Sequence, residues 1–237
     1  FEYYDDFFLG LGINSYYESI ETDSTASNQQ KKLKGNYFDN FVSLTSDFDK
    51  RNQKFQTSQG FRNYFKTDIP LISETNTLAN TFITTNYFEF LNNNVLKSSF
   101  YFKNSNSLTG DNIKLSERLY LPSNRLRGFE SGKVGPKDGE DFIGGNYISS
   151  INFSSDIPKL FENSQTTDFK MFLDIANVWG VDYDSGLETS DDIKSALGIG
   201  LDWYSPIGPM NFTLSQPLSK GPNDITESFR FNLGTTF

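Results

Sequence analysis

The residue types of this chain exclude several kinds of chemistry. Its 237 residues include no histidine and no cysteine, which excludes histidine acid–base catalysis, disulfide bonds and cysteine-ligated metals. Residues 128–133 look like a phosphate-binding loop, but the glycine spacing is too short and Val134 replaces the required Ser or Thr. Residues 182–186 look like a calcium loop, but Gly186 stands where an oxygen ligand is needed. We therefore expect that the protein is not an enzyme and that it has no catalytic residue, no metal and no cofactor.

The residues that favour another kind of chemistry lie in residues 104–146, a long polar stretch. Arg127 carries a planar guanidinium that can bind a carboxylate through two parallel charge-assisted hydrogen bonds. Gly128 permits a backbone conformation or a close approach that a side chain would block, and Phe129 is suited to apolar burial. Long loops without secondary structure are usually functional or disordered. We predict a packed, functional loop here, with an ordinary solvated turn as the alternative.

The elements that must position this loop are predicted to be β-strands on both sides of it. In residues 169–179 and 193–204, apolar residues alternate with polar or small ones, which is the period of a strand. The second segment sets Leu197, Ile199, Leu201 and Trp203 against Gly198 and Gly200. About ten such strands are joined alternately by short turns and long polar loops. Outer-membrane barrels show this asymmetry of loop length, whereas a soluble sandwich does not.

Strand ends are predicted from proline and from the final alternating pattern. We expect one strand to end before Pro70 and a brief strand around Phe212 to end before Pro217, because proline donates no ladder hydrogen bond. The last strand is predicted over residues 225–237. It should pair with the strand around Phe212 and leave its other edge open within this chain.

Composition narrows the class of protein further. No run of about 18 apolar residues is present, so no transmembrane helix is predicted. The formal net charge of −9 argues against a nucleic-acid binder. The first residues show neither a charged n-region nor an apolar h-region of a signal peptide, so we expect the chain to start within a protein or to have been processed.

An ordered set of motifs resembles the BamA-type family of bacterial outer-membrane assembly factors, the bacterial surface antigen family. The resemblance is strongest from residue 125 to the C-terminus and consists mostly of strand rhythm before that. The motifs are the Arg-Gly-Phe loop (Arg127, Gly128, Phe129), Val134-Gly135-Pro136, Gly144-Gly145-Asn146, WYSPIGP at 203–209, SQPL at 215–218 and FRFNLGTTF at 229–237.

The fold that this resemblance implies is all-β: an antiparallel transmembrane β-barrel of sixteen strands, preceded by POTRA domains, in the outer membrane of Gram-negative bacteria. Matched from the C-terminus, residues 1–237 would form a single barrel domain that is incomplete at its N-terminus. Because two open sheet edges are untenable in lipid, we interpret the chain as a fragment of a larger protein. Residues 104–146 would form a long extracellular loop that folds into the lumen.

The site residues that the resemblance implies are an ion pair and a terminal strand. Arg127 would pair with Asp174, which the alternation independently places on the inward face. The family often has a second acidic partner, and the matching position here is Asn152. The C-terminal signal, which would also form the closing side of a lateral seam, comprises Phe229, Phe231, Leu233 and Phe237.

The function that the resemblance implies is the folding and insertion of outer-membrane proteins through that seam. The expected partners are outer-membrane lipid, unfolded outer-membrane protein clients, accessory lipoproteins and periplasmic chaperones, without nucleic acid. Two alternatives remain open: a translocation or secretion barrel of the same superfamily, and the membrane anchor of a fused lipase. The sequence that precedes Phe1 would discriminate between them, through the number of POTRA repeats or a catalytic domain.

Overall fold

A computed structural model of the chain describes residues 2–54, 57–90, 94–156, 166–182, 187–188, 192–206 and 208–234. Within these ranges the chain is almost wholly antiparallel β. The strands are β1 (Glu2–Tyr4), β2 (Phe7–Ile20), β3 (Gly35–Asp49), β4 (Gly60–Ile72), β5 (Thr77–Phe90), β6 (Asn94–Ser107), β7 (Lys137–Asp138), β8 (Asp141–Phe142), β9 (Tyr147–Asp156), β10 (Thr167–Trp179), β11 (Leu187–Glu188), β12 (Lys194–Ser205), β13 (Gly208–Ser219) and β14 (Phe229–Leu233).

The described strands form one large sheet and one small one. The large sheet has the order β1-β2-β3-β4-β5-β6-β9-β10-β12-β13-β14, so neighbours in space are neighbours in sequence apart from the strands of the small sheet, β11-β7-β8. The prediction of about ten antiparallel strands paired in sequence order is confirmed, with the three-residue β1 added. A short helix, α1 (Asn28–Lys32), and one 3-10 turn (Leu115–Glu117) interrupt the connections. No helix in the described ranges is long and apolar enough to cross a membrane.

The two faces of the large sheet differ in the way that the alternation predicts. On β10, Phe172 and Val178 are buried on one face, whereas Met171 on the other face is half exposed. On β12, Gly198 lies so close to Phe172 that an added Cβ would come within 2.4 Å of its ring. The apolar residues that alternate with Gly198 and Gly200 along β12 face the other way and are exposed: Leu197, Ile199 and Trp203. A sheet face that exposes this much apolar surface suits contact with lipid.

Two strands continue through the prolines at which we expected them to end. Pro70 lies inside β4, opposite Phe41, and Pro217 lies inside β13, opposite Ala196. The pairing register shifts beside both positions. A β-bulge leaves one residue out of the ladder, which accommodates a residue without an N–H donor.

The long connection between β6 and β9 covers residues 108–146, a later start than the predicted residue 104. Asn104 and Ser107 still belong to β6, where they pair with Asn80 and Thr77 of β5. Their polarity suggested a loop, but a ladder is held by backbone groups and tolerates polar side chains at the end of a strand. We call residues 108–146 the long loop.

An apolar core lies between the long loop and the buried face of the sheet, which we call the inner wall. The core residues are contributed by both layers: Leu119, Leu121, Leu126, Phe129 and Val134 from the loop, and Tyr101, Ile148, Ala176, Val178 and Ala196 from the wall. Each Å² of apolar surface that is removed from water contributes about 25 cal/mol of free energy, so this layer attaches the loop strongly to the wall. The long loop is therefore packed against the wall.

The last strand begins later than predicted. β14 runs over Phe229–Leu233 and pairs with β13, as expected, but residues 225–227 pair with the long loop instead. Within the part of the chain that the structure describes, β14 pairs with no other strand of the sheet. Residues 235–237, including Phe237, lie outside the described residues.

Candidate functional site

An arginine fork joins the long loop to the inner wall. The Arg127 side chain donates from Nε to Asp174 Oδ2 and from NH2 to Asp174 Oδ1, both at 2.7 Å. The guanidinium also stacks on the Phe172 ring, with its Cζ 3.5 Å from the ring centroid. Asp174 is fully buried, whereas the Arg127 side chain keeps 23% exposure. Two parallel charge-assisted bonds fix both the position and the orientation of the loop.

Asp174 receives two further hydrogen bonds that the sequence did not indicate. The backbone N–H of Arg127 donates to Asp174 Oδ2 at 3.0 Å, and Asn152 Nδ2 donates to Asp174 Oδ1 at 2.8 Å. Asn152 Nδ2 also lies 2.8 Å from the backbone oxygen of Arg125. Asn152 stands where the family often has a second acidic residue. Its amide instead donates hydrogen bonds to both Asp174 and the loop backbone at Arg125, and so joins the wall to the loop.

Gly128 and Phe129 occupy constrained places beside the fork. Gly128 has a φ of +91°, and a Cβ there would lie 3.0 Å from Ala196 Cβ, so both the backbone and the wall favour glycine. Phe129 is 1% exposed and forms an isolated antiparallel bridge with Thr226. The loop thus approaches the wall closely at Gly128 and inserts an aromatic side chain next to it.

Arg125 occupies the same stretch of wall without a carboxylate within ion-pair distance among the described residues. Its NH1 donates to Ser99 Oγ at 3.0 Å, and its guanidinium lies 4.8 Å from the centroid of the Tyr101 ring. Burial lowers the pKa of Arg125 from its ordinary value, although an arginine remains protonated under any physiological condition.

Arg230 of β14 is a site residue that the sequence reasoning missed. Its NH1 donates to the backbone oxygen of Ser123 at 3.0 Å, and its NH2 donates to the backbone oxygen of Phe129 at 2.6 Å. Its Nε donates to Glu227 Oε2 at 2.8 Å, which holds the guanidinium in place. The strand alternation of FRFNL places Arg230 inward, and that was the available signal.

The segment before β14 is bonded to the long loop by backbone groups. Glu130 N–H donates to Ile225 O at 2.9 Å, Ile225 N–H donates to Lys133 O at 3.0 Å, and Glu227 N–H donates to Gly128 O at 3.0 Å. These bonds explain why β14 begins at Phe229 rather than at Ile225. The predicted seam residues lie on the opposite face, where they are exposed: Phe229, Phe231 and Leu233.

Among the described residues, no group of three or more acidic side chains is arranged to hold a metal ion. Of residues 182–186, whose sequence looks like a calcium loop, the structure describes only Asp182. That carboxylate instead receives hydrogen bonds from Arg118 NH2 and from the backbone N–H of Ile113, both at 2.9 Å.

Comparisons with known proteins agree with the fold. Residues 2–237 match the family described as the Omp85 superfamily domain. The outer membrane protein assembly factor BamA of Neisseria meningitidis serogroup B is 29% identical over a match that covers 47% of this chain and 17% of that protein. BamA of Neorickettsia risticii is 26% identical, covering 54% and 18%. A SAM50-like protein of Schizosaccharomyces pombe is 28% identical, covering 55% and 29%.

A solved structure shares the whole described architecture. The crystal structure of BamA from Haemophilus ducreyi lacking POTRA domains 1–3 superposes with a TM-score of 0.79 at 20% identity. The match covers 97% of this chain and 51% of that one. The present chain therefore spans about half of that structure, and under a third of each curated relative.

Proposed function

Because the chain belongs to the Omp85 superfamily, we propose that it folds and inserts β-barrel proteins into the bacterial outer membrane. Its strands form part of an antiparallel outer-membrane barrel, with the fold of the Haemophilus ducreyi structure. The bacterial relatives are named as assembly factors rather than as enzymes. The mechanism we propose is correspondingly physical: strand pairing and bilayer disturbance without covalent chemistry.

The free edge of the last strand carries this proposal. Among the described residues, β14 pairs with β13 on one side and with no strand of the sheet on the other. A strand with one free edge offers unpaired backbone N–H and C=O groups, to which a strand of an unfolded client can add. Its apolar outer residues would lie against lipid at the same place. In the proposed reaction, the client strand pairs with the free edge of β14 at a lateral seam.

The long loop has a supporting role in this proposal. Residues 108–146 would leave the barrel on the extracellular side and return into the lumen, held by the Arg127–Asp174 fork and by the apolar core. The bonds of residues 225–227 and of Arg230 to the loop would set the starting point of β14. A docked loop would thereby keep the seam strand short and its edge available.

The partners that follow from this proposal are outer-membrane lipid and unfolded barrel proteins. Periplasmic chaperones would deliver the clients, and accessory lipoproteins would bind the assembly machine. We propose no nucleic-acid partner, because a net charge of −9 would repel the phosphate backbone.

Site-specific photocrosslinking tests the seam. A photoreactive residue is placed at Phe231 of β14 or, as the matched control, at Phe82 of β5, which has a strand partner on each side. The whole protein that contains this chain is reconstituted into liposomes and given an unfolded barrel protein. We expect crosslinks from position 231 and none from position 82, together with faster client folding than in empty liposomes.

Two outcomes would contradict different parts of the proposal. Equal crosslinking from both positions, or none from position 231 while folding is accelerated, would contradict the seam at β14. Crosslinked client that crosses the membrane without folding would contradict the assembly function and support the translocation alternative.

A further inference from the structure

A buried ionic cluster holds the beginning of the long loop. Lys114 and Asp39 both have fully buried side chains, and the Lys114 ammonium donates a hydrogen bond to Asp39 Oδ2. Lys114 Nζ also lies 2.5 Å from Glu18 Oε1 and 3.5 Å from Glu117 Oε1. One ammonium is thus surrounded by three carboxylates, on a residue that the sequence reasoning did not single out.

The ammonium is enclosed by aromatic rings as well as by charge. Lys114 Nζ lies 4.9 Å from the centroid of the Tyr37 ring and 5.6 Å from that of the Tyr16 ring. A cation over aromatic faces gains electrostatic attraction, and the gain grows when water is excluded. Lys114 therefore occupies a site that is shaped for a desolvated cation.

Each carboxylate of the cluster is held by a further hydroxyl group. Ser73 Oγ donates to Asp39 Oδ1 at 2.5 Å, and Ser116 Oγ donates to Glu18 Oε1 at 2.9 Å. Thr77 Oγ1 donates to Glu117 Oε2 at 2.6 Å. The carboxylates are therefore held by hydroxyl groups as well as by the ammonium.

The charge balance of the cluster keeps Lys114 protonated. Burial alone would lower the pKa of the ammonium, but the hydrogen bonds to Asp39 and Glu18 and the nearby Glu117 carboxylate outweigh burial and raise that pKa above its ordinary 10.5. Removing the lysine would leave buried carboxylates without their counter-charge, which is strongly destabilising.

The cluster joins parts of the chain that are remote from the Arg127 fork. Glu18 lies on β2 and Asp39 on β3, whereas Arg127 is bonded to β10. Between β3 and β10 in the sheet stand β4, β5, β6 and β9. The long loop is consequently attached to two separated portions of the inner wall.

We propose that Lys114 is a positioning residue that anchors the long loop to the β2–β3 wall, so that the loop pivots about this point when the Arg127 fork opens. The anchoring stands on the contacts alone. The pivoting rests on the proposed function, because client folding is the event that would open the fork. The loop would then change its contact with β14 without leaving the barrel.

Distance measurements between spin labels test the anchor. The chain has no cysteine of its own, so Asn36→Cys on β3 and Asp111→Cys on the loop can be labelled specifically. The whole protein is reconstituted in bilayers without client. We expect one narrow distance distribution in the parent and in Arg127→Ala, and a broad one in Lys114→Met.

Two further variants separate anchoring from general damage. Lys114→Met combined with Asp39→Asn and Glu18→Gln also removes the charges of the two wall carboxylates that the lysine neutralises, and we expect this triple variant to fold and still to show the broad distribution. Lys66→Met, which breaks the 2.8 Å pair with Asp68 on β4 alone, should keep the narrow one. A narrow distribution in this triple variant would overturn the anchor, and a broad one in Arg127→Ala would overturn the pivot. Client folding plays no part in this readout, so an inactive protein with the expected distances would contradict only the proposed function.

Discussion

Beside the apolar core, two ionic contacts attach the long loop to the wall, and these two attachments differ in burial and in the number of carboxylate partners. At the Lys114 end, a fully buried ammonium meets three carboxylates and two aromatic rings. At the Arg127 end, a guanidinium with 23% side-chain exposure meets one carboxylate and one aromatic ring. Water can reach the Arg127 guanidinium and replace its hydrogen bonds one at a time. At the first attachment the Lys114 ammonium and the Asp39 carboxylate are fully buried, and water can reach only the partly exposed Glu18 and Glu117 carboxylates.

The difference indicates which attachment can open. A partly exposed ion pair contributes less to stability than a buried one, because solvent compensates the separated charges. The Arg127 end also has strand β14 next to it, through Arg230 and residues 225–227. We therefore assign a fixed end to Lys114 and a releasable end to Arg127, with the seam strand on the releasable side.

The largest expected effect comes from breaking the fixed end. Lys114→Met should lower the free energy of unfolding by about 3–5 kcal/mol, since it leaves the buried Asp39 carboxylate uncompensated. Unfolding by denaturant, followed by the fluorescence of Trp179 and Trp203, measures this. The control is Lys50→Met, whose ion pair with Asp6 is about half exposed and whose loss should have a much smaller effect, because solvent compensates the separated charges. An equal decrease in the free energy of unfolding in both variants would contradict the proposed difference between a buried and an exposed ion pair.

A smaller effect is expected when the contact between Arg230 of β14 and the long loop is weakened. Arg230→Gln removes charge-assisted hydrogen bonds to two loop carbonyl groups, those of Ser123 and Phe129, each worth about 1.5–3 kcal/mol at most. Amide hydrogen exchange should become faster at Glu130 and Glu227, whose N–H groups join the loop to the segment before β14. Unchanged exchange at both amides would show that the backbone bonds hold this contact without Arg230.

The smallest effect is expected from pH. A folded-state pKa above the ordinary 10.5 means that Lys114 stabilises the fold fully below that pH and loses this contribution only as the pH rises through the raised value. The groups that face the ammonium are Glu18, Asp39, Glu117, Tyr16 and Tyr37. The label distance between positions 36 and 111 should stay narrow up to pH 10.5. Broadening between pH 8 and 10 would contradict the raised pKa.

The sequence predicted those parts of the fold that depend on alternation. The strand order, the outward position of Leu197, Ile199 and Trp203, and the inward position of Asp174 all follow from a period of two. Strand ends were predicted less well. Pro70 and Pro217 lie inside strands because shifts in the pairing register accommodate them, and no local sequence pattern predicts these shifts.

The sequence could not predict the contacts that join distant segments. Lys114 lies in a polar stretch whose composition is typical of a solvated loop, and its partners Glu18 and Asp39 are far away along the chain. Only the packing of the loop against the wall brings these charges together. The resemblance identified Asn152 only as the position of the family's second acid, and its role as a donor to Asp174 depends on the orientation of its amide.

Amide hydrogen exchange in Arg127→Ala tests the two-ended attachment most directly. We predict faster exchange in residues 127–135, by about tenfold for each 1.4 kcal/mol of lost interaction, while residues 113–119 exchange as in the parent protein. Arg127→Lys should give an intermediate result, since lysine keeps the charge but lacks the planar fork. Faster exchange in both segments, or in neither, would contradict a loop with one fixed and one releasable end.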